Sequence, residues 1–345
     1  MGRDRNKSHD TFYACESMAY SYAGIQHYSS CYDTIAATLI KNLGYCDTVF
    51  PSFLHTPILA ADSLLGVKYF LSDTQYDGYT KLDELTVYND QNVYYNDLAL
   101  PLAFTASSAM TKIHATEDPF AYLNNIYSGL IGEKTDLFKP VVISSQPAEA
   151  ENTLCFSTDK KTGSLLYLRI PEANMNASIY MDGEFVSNYR KGWMNHNVIV
   201  LGNMEQEHTI EIWNTTIEPE VVQFYSFDMD KFQRTVEMVK NASNVQNIAL
   251  QNSRIEISTS GQAENVLITI PYDASWKVRV NGEIVQPQKA ADAFMLIPLQ
   301  ENAQENTIVM EYKVKGRTLG LCTTGVSLLI FVSWGLYTWK KKKTA

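Results

Sequence analysis

The first third of the chain mixes helical and extended hydrophobic patterns. Apolar residues Ile35, Leu39 and Leu43, behind the capping residue Asp33, have the spacing of a short amphipathic helix. Asp118-Pro119 gives a second helix start, a capping side chain followed by proline at the first helical position. The other elements predicted here are a helix between residues 56 and 66, a strand over residues 67–71, and a hairpin formed by residues 85–88 and 93–95.

From about residue 141 the pattern changes to short runs of β type, and these runs repeat. The similar pairs are residues 154–158 with 255–259, 167–171 with 267–271, 181–186 with 280–285, and 208–210 with 306–308. The offset within these pairs drifts from 101 to 98 residues, so both copies keep the same order. Each copy contains an Asp-Gly or Asn-Gly pair, which favours a type I′ hairpin turn. We therefore predict two repeated β-sandwich units.

Between the two copies lies a pattern typical of a helix. Met229, Phe232, Val236 and Val239 are spaced 3, 4 and 3 residues apart and follow Asp228, a good capping residue. We expect an amphipathic helix that packs against both copies.

The most hydrophobic stretch is at the end of the chain, where residues 319–339 carry no charge. At about 1.5 Å per residue, a helix of this length spans about 30 Å, the thickness of a bilayer core. Trp334, Tyr337 and Trp339 near its end, followed by four lysines, are typical of an interfacial aromatic belt and a positive-inside terminus. A buried core helix is the alternative, but such helices seldom end in four lysines. We therefore predict a single C-terminal membrane span, with the C-terminus cytoplasmic and the bulk of the chain extracytoplasmic.

Charge is divided along the chain in the same way. The total is −10, but residues 1–316 contain 23 Lys and Arg against 38 Asp and Glu, a net charge of −15. An acidic region of this size makes a nucleic-acid partner improbable.

These patterns predict a mainly β fold with an α/β N-terminal segment, two repeated β-sandwich units and one C-terminal transmembrane helix. The expected organisation is a juxtamembrane segment (1–15), a mixed α/β extracytoplasmic domain (16–140), the first β-sandwich unit (141–225), a linking amphipathic helix (226–245), the second β-sandwich unit (246–316), the transmembrane helix (317–339) and a basic cytoplasmic tail (340–345).

No motif in the sequence requires catalysis. The six histidines are scattered singly and the five cysteines form no CxxC pair, so we predict no metal site, no cofactor and no catalytic residue in this chain. The acid pair Asp182 and Glu184 lies at a hairpin turn, where solvated turn residues are expected.

Several segments together resemble the bacterial YfhO family of multi-pass membrane proteins. They are Tyr22-Ala23-Gly24-Ile25 with Tyr28-Ser29-Ser30, the run DSLLGVKY from Asp62 to Tyr69, the run ALPLAF from Ala99 to Phe104, Ile270-Pro271-Tyr272-Asp273, and Trp276-Lys277-Val278. The closing span resembles the last transmembrane helix of that family, and the resemblance implies that it lies in a bacterial cell membrane.

The resemblance implies a GT-C type glycosyltransferase that uses a lipid-phosphate-linked sugar to glycosylate teichoic acids or other surface polymers. In such enzymes the catalytic carboxylate lies in an early extracytoplasmic loop, ahead of the region matched here. We therefore expect this chain to be the C-terminal extracytoplasmic part, which binds acceptor glycan or covers the active site. Its expected partners are an upstream multi-pass membrane half, a cell-surface glycan or polyprenyl-phosphate sugar, and the lipid bilayer.

Aromatic residues are the best candidates for glycan contact, because flat rings with a polar edge suit the faces of sugars. Tyr28, Trp193 and Trp276 are the candidates for this role, and His27 is the candidate for contacting the sugar-phosphate donor. For Trp276, and also for Trp213, a place in a sandwich core is the simpler expectation. A membrane-anchored carbohydrate-binding or adhesion protein without enzymatic activity is the alternative function.

Overall fold

The structure is a computed structural model that describes residues 5–8, 23–25, 33–45, 56–83, 92–159, 165–171, 177–189, 198–251, 253–300, 303–314 and 316–343. Its strands are β1 (Arg5–Ser8), β2 (Val67–Ser72), β3 (Thr80–Lys81), β4 (Asn92–Tyr95), β5 (Ala103–Ala106), β6 (Phe138–Val141), β7 (Ser144–Gln146), β8 (Thr153–Ser157), β9 (Leu165–Arg169), β10 (Ala177–Met181), β11 (Glu184–Tyr189), β12 (Val198–Asn203), β13 (Thr209–Trp213), β14 (Gln223–Phe227), β15 (Val245–Gln251), β16 (Arg254–Ser260), β17 (Asn265–Pro271), β18 (Trp276–Val280), β19 (Glu283–Val285), β20 (Gln288–Ala290), β21 (Phe294–Pro298) and β22 (Glu305–Tyr312). Its helices are α1 (Thr34–Asn42), α2 (Leu59–Leu64), α3 (Pro119–Ile131), α4 (Met229–Ala242) and α5 (Arg317–Lys343), with short 3-10 turns at Ser108–Lys112 and Pro219–Val221.

The predicted helix starts at Asp33 and Asp118 are confirmed by their caps. Asp33 accepts a hydrogen bond from the Ala36 N–H at 2.9 Å and begins α1, and Asp118 accepts one from the Phe120 N–H at 2.9 Å and begins α3. Each bond satisfies a backbone donor that has no partner within its own helix. The helix α2 begins at Leu59, and Gly66 follows it with a φ of 69°, a conformation that favours glycine.

The first sheet, ordered β1-β2-β4-β3, contains the predicted strand at residues 67–71 as β2. Within the predicted hairpin, residues 85–88 lie outside the described residues. Its other strand, β4, pairs antiparallel with β2 and β3.

The first sandwich packs a five-stranded sheet, β11-β10-β13-β8-β7, against a four-stranded sheet, β12-β9-β14-β6. Side chains from both sheets form its core, among them Phe156, Leu168, Ile179, Ile212 and Phe224. The rings of Phe156 and Phe224 meet edge to face with centroids 5.1 Å apart.

The second sandwich repeats this arrangement. Its five-stranded sheet has the order β19-β18-β22-β16-β15, the counterpart of β11-β10-β13-β8-β7 strand by strand. The register is also the same, because Tyr180 pairs with Glu211 in the first copy and Arg279 pairs with Val309 in the second, at offsets of 99 and 98 residues. The predicted repeat is therefore a repeat of the fold.

One strand of the second sandwich comes from far away in the sequence. Its four-stranded sheet is ordered β20-β21-β17-β5, and β5 pairs antiparallel with β17 from Asn265 to Ile268. The strand β5 lies about 160 residues before its partner, within the segment predicted as α/β. It occupies the place that β14 has beside β9 in the first sandwich.

A large shared core joins these parts. It contains side chains of α1 to α4 together with Leu165 and Tyr167 of the first sandwich and Leu267 and Leu296 of the second. Helix α4 begins at the Asp228 cap, whose carboxylate accepts from the Lys231 N–H at 2.9 Å, and it buries Phe232, Thr235, Val236 and Val239. The amphipathic linking helix that the spacing predicts is confirmed, as is the mainly β fold class.

The C-terminal helix α5 is the apolar helix that the sequence predicts. The stretch Arg317–Lys340 has a window of mean hydropathy 1.8, and none of that window is buried against the rest of the chain. Its leucines, valines and aromatic rings are therefore exposed, a pattern that a lipid environment would satisfy.

Candidate functional site

Three aromatic side chains share the outer face of the five-stranded sheet in the first sandwich. Strand alternation produces this arrangement: Ile210 and Ile212 point into the core, so Trp213 points outward, and Tyr180 lies on the same side of neighbouring β10. Phe185 of β11 pairs with Tyr180 across the hairpin. We call Tyr180, Phe185 and Trp213 the aromatic face.

The three rings form a continuous but twisted surface. The Tyr180 centroid lies 5.7 Å from that of Phe185 and 5.2 Å from that of Trp213, with interplanar angles of 72° and 45°. Phe185 is 55% exposed and Trp213 is 40% exposed. Large apolar rings exposed side by side are unusual on a protein surface and mark a place where a partner with an apolar face can bind.

Polar groups border the aromatic face. Ser178 donates a hydrogen bond to Asn188 Oδ1 at 2.9 Å, and Glu211 stands directly opposite Tyr180 on the next strand. None of the five strands, as the structure describes them, contains Lys or Arg. The face thus offers stacking and hydrogen bonding with a negative rather than a positive charge.

The hairpin that carries Phe185 is fixed to the neighbouring strand by its turn residue. Asp182 and Gly183 both have positive φ, as a type I′ turn requires. The Asp182 carboxylate accepts from the Thr209 N–H at 2.8 Å and contacts His208 Nδ1 at 2.6 Å. Partial burial raises the pKa of Asp182, but these hydrogen bonds and the His208 ring lower it more, so its pKa lies below the usual 3.8. The structure therefore confirms that Asp182 is a turn residue. It also shows that the Asp182 carboxylate fixes the turn to β13 through the Thr209 N–H.

The second sandwich has the same turn but a different outer face. Asn281 takes the place of Asp182, accepting from the Thr307 N–H at 2.8 Å. At the positions of Thr153, Cys155, Tyr180 and Trp213 stand four charged residues, Arg254, Glu256, Arg279 and Glu311. They form ion pairs, with Arg254 contacting Glu256 at 2.6 Å and Glu311 at 2.9 Å. The aromatic face is thus a property of the first copy alone.

The predicted site residues are mostly beyond what the structure describes. Tyr28, Trp193 and His27 lie outside the described residues. Trp276 is half-buried at the start of β18, where it packs against the second core and meets the Tyr312 ring with centroids 5.1 Å apart. Trp276 is therefore not part of the aromatic face.

The expectation that Trp213 belongs to a core is wrong. The strand sequence TIEIW puts both isoleucines on one side, which leaves Trp213 on the other, facing solvent. Strict alternation around Ile210 and Ile212 is the signal in the sequence that could have identified this face.

A second cluster of polar groups is closed to solvent. Asp62 is fully buried, and its two carboxylate oxygens accept hydrogen bonds of 2.5 Å from the hydroxyls of Tyr45 and Tyr79. Burial raises the pKa of both tyrosines, and the neighbouring carboxyl group raises it further. Nearby, Asn96 donates to Ser63 Oγ at 3.1 Å and to the Val67 carbonyl at 3.0 Å. Hydrogen bonding within this buried cluster accounts for the polar residues Asp62 and Ser63 in the run from Asp62 to Tyr69, and these bonds stabilise the core.

A cleft of about 560 Å³ opens between α1 and the first sandwich, lined by Lys41, Arg169 and Tyr189 among others. The Arg169 guanidinium donates to Gln223 Oε1 at 3.0 Å and to the Glu117 carbonyl at 2.7 Å. Since protein oxygens already hold Arg169 in place, we regard the cleft as a weaker candidate for ligand binding than the aromatic face. Across the described part of the chain, no group of three or more His, Cys, Asp or Glu is placed to hold a metal ion.

Comparison with known families identifies the chain. Residues 4–324 match the family model described as bacterial membrane protein YfhO. The chain belongs to the YfhO family. This membership, together with the apolar helix α5, makes it a membrane protein.

Solved structures give only remote similarity to this YfhO-family chain. It resembles in part the β-glucuronidase of Ruminococcus gnavus, at 9% identity over 50% of this chain and 35% of that one, with a TM-score of 0.17. The β-D-glucuronidase of Dictyoglomus thermophilum matches at 12% identity over 52% of this chain and 42% of that one, with a TM-score of 0.19. The chain thus spans less than half the length of these proteins, and such TM-scores carry no conclusion about fold or activity. No curated protein matches the chain.

Proposed function

We propose that this YfhO-family protein takes part in the glycosylation of cell-surface polymers and that its aromatic face binds the acceptor glycan outside the membrane. The observation that carries the proposal is the aromatic face itself. Phe185 and Trp213 lie exposed on one side of the sheet, with the half-buried Tyr180 between them and hydrogen-bonding groups beside them. Sugars have apolar C–H faces and polar edges, so they match a surface of this kind.

In this proposal the lysines after Trp339 lie in the cytoplasm and the two sandwiches lie outside, where surface polymers are assembled. The positive-inside rule supports this orientation. Sugar transfer belongs to a multi-pass membrane region of the kind the family resemblance implies, with a polyprenyl-phosphate sugar as donor. The sandwiches then hold the acceptor near that region or cover its active site.

The test of this proposal is glycan binding by the full chain in nanodiscs. Trp213→Ala is expected to weaken binding of a cell-envelope glycan by at least fivefold, because an aromatic contact contributes about 0.5–1.5 kcal/mol in addition to its buried area. The matched control is Ile284→Ala, since Ile284 is the exposed counterpart of Phe185 in the second sandwich. Equal glycan binding by the unchanged protein, Trp213→Ala and Ile284→Ala would exclude the aromatic face as the glycan site.

A second measurement separates the enzymatic proposal from simple adhesion. In the source bacterium, the Trp213→Ala allele is expected to reduce the glycosylation of a surface polymer while the protein remains in the membrane at normal abundance. Unchanged glycosylation, together with lost glycan binding, would favour a carbohydrate-binding protein without a part in sugar transfer.

A further inference from the structure

The end of the second sandwich that leads into α5 carries aromatic and basic side chains. We infer that this end contacts the headgroups of the bilayer and prefers anionic phospholipid. The surface, which we call the juxtamembrane surface, consists of Tyr272, Trp276, Tyr312, Lys313 and Arg317. The inference is independent of the proposed glycan binding, and it holds whichever way α5 crosses the membrane.

The connection between the second sandwich and the membrane helix is short. Only residues 313–316 lie between β22 and α5. Lys313 still belongs to the sandwich, because its N–H donates to the Ser275 carbonyl at 3.0 Å. Four Cα steps lead from there to Arg317, and they cover at most about 14 Å when fully extended. The connection is shorter than that, because the Arg317 N–H donates to the Val314 carbonyl at 3.3 Å. This end of the sandwich therefore lies at the level of the headgroups.

The aromatic rings at this end suit a membrane–water boundary. Trp276 begins β18 directly opposite Tyr312 at the end of β22, and their ring centroids are 5.1 Å apart. Trp276 and Tyr272 pack against the end of the second core, and all three rings are half-buried. The Tyr312 hydroxyl donates to Asp273 Oδ2 at 2.8 Å. Aromatic side chains with an apolar body and a polar edge are enriched where a membrane meets water.

The basic side chains give this surface its charge. Lys313, Lys315 and Arg317 occupy alternate positions, and the sequence contains no Asp or Glu after Glu311. The placement of Lys315 is outside the described residues. Lys313 and Arg317 are exposed, and the ion pairs between described residues include neither of them. Basic side chains beside a membrane helix attract anionic headgroups.

Three carboxylates near this surface already have partners. Glu311 contacts two arginines of the outer face, at 2.9 and 3.6 Å. Asp273 accepts from the Tyr312 hydroxyl and from a backbone N–H of its own loop. Asp33, which lies near enough to raise the pKa of Tyr312, caps α1. None of these three pairs with Lys313 or Arg317 in the structure, so lipid phosphate can supply the opposite charge.

Tryptophan quenching tests the contact with the bilayer. The full chain is placed in nanodiscs whose lipid carries a nitroxide, either on the headgroup or deep in the acyl chains. The difference between the unchanged protein and Trp276→Phe isolates the Trp276 emission from that of the other tryptophans. The headgroup nitroxide is expected to quench this emission at least threefold more strongly than the deep nitroxide. A Trp276 emission that neither nitroxide quenches would overturn the contact.

Hydrogen exchange tests the preference for anionic lipid without changing Trp276. Exchange of the amides in residues 272–276 is expected to slow at least twofold when phosphatidylglycerol replaces phosphatidylcholine, because closer contact stabilises the hydrogen bonds of this loop. High salt should remove the slowing, since it screens the attraction. The double variant Lys313→Gln with Arg317→Gln should remove it as well.

The matched control removes one lysine and one arginine from exposed positions elsewhere. Lys139→Gln with Arg234→Gln changes β6 and α4, and this variant should keep the slowing seen in the unchanged protein. Equal exchange in the two lipids would overturn the preference for anionic lipid. Slowing that persists in the Lys313→Gln and Arg317→Gln protein would overturn the role of these two side chains.

Discussion

Individual buried polar groups show how much of this fold depends on specific partners. Asp62 is buried completely, and two tyrosine hydroxyls donate to its carboxylate oxygens. A buried polar group without a partner costs about 1–3 kcal/mol, so each hydroxyl is needed to keep Asp62 in the core.

Removing one of these hydroxyls tests that interpretation. Tyr79→Phe is expected to lower the free energy of unfolding by about 2 kcal/mol, because the hydroxyl is lost and a carboxylate oxygen stays buried. Urea unfolding of the full chain in detergent measures the change. Tyr180→Phe is the control, since it removes a hydroxyl from a half-buried position on the outer face, and little change is expected. A Tyr79→Phe protein as stable as the control would contradict the assigned role.

Asp182 predicts a pH effect at the same scale. Its pKa is below 3.8 in the folded protein, so the ionised form stabilises the fold at pH values above the usual carboxyl pKa. That stabilisation decreases once the pH falls below about 4, the usual carboxyl pKa, and it is lost as the pH falls through the lowered pKa of the folded protein. In Asp182→Asn this part of the acid dependence should disappear, and the amide can still accept from the Thr209 N–H, as Asn281 does from Thr307.

The measurement is the urea midpoint of the full chain between pH 3 and 7. Glu184→Gln removes an exposed carboxylate from the same hairpin and serves as the control, which should keep the acid dependence of the unchanged protein. An Asp182→Asn curve that parallels the Glu184→Gln curve would contradict the link between Asp182 and acid stability.

Among the elements, those determined by local sequence were predictable. The caps at Asp33, Asp118 and Asp228 and the turns at Asp182 and Asn281 act within a few residues, and each forms as its sequence indicates. The place of β5 beside β17 was not predictable, because it depends on contact between segments about 160 residues apart. For the aromatic face, alternation placed Trp213 outside, but aromatic residues in β-rich sequence are more often buried, and that general tendency gave the wrong expectation.

The cap of α4 gives a prediction at this scale. This helix contributes Phe232, Val236 and Val239 to the core shared by the two sandwiches, so loosening its start should weaken both. Asp228→Ala is expected to lower the free energy of unfolding by about 1 kcal/mol, because the Lys231 N–H loses its acceptor. Asp228→Asn retains an acceptor and should be close to neutral. If both variants lose the same stability, the cap bond is not the cause.

For the whole molecule, the division of charge and the C-terminal helix belong together. Residues 1–316 carry a net charge of −15. The five basic residues after them lie at the two ends of an apolar helix that is not buried against the rest of the chain. In water such a helix would expose its apolar surface, which is unfavourable in free energy. In lipid that surface is not in contact with water, so the unfavourable contribution is removed. From the positive-inside rule we propose an orientation with the lysines in the cytoplasm and the sandwiches outside.

Labelling with a membrane-impermeant maleimide tests this orientation. Val142 is 98% exposed in the first sandwich, and Lys343 is exposed at the end of α5. In intact cells, the thiol introduced by Val142→Cys should react, whereas the thiol introduced by Lys343→Cys should react only after the membrane is permeabilised. Peptide masses separate these thiols from the five natural cysteines, of which Cys155 should react slowly, because burial and the nearby Glu211 raise its pKa. The reverse labelling pattern would place the aromatic face in the cytoplasm, away from surface polymers, and would end the proposed acceptor role.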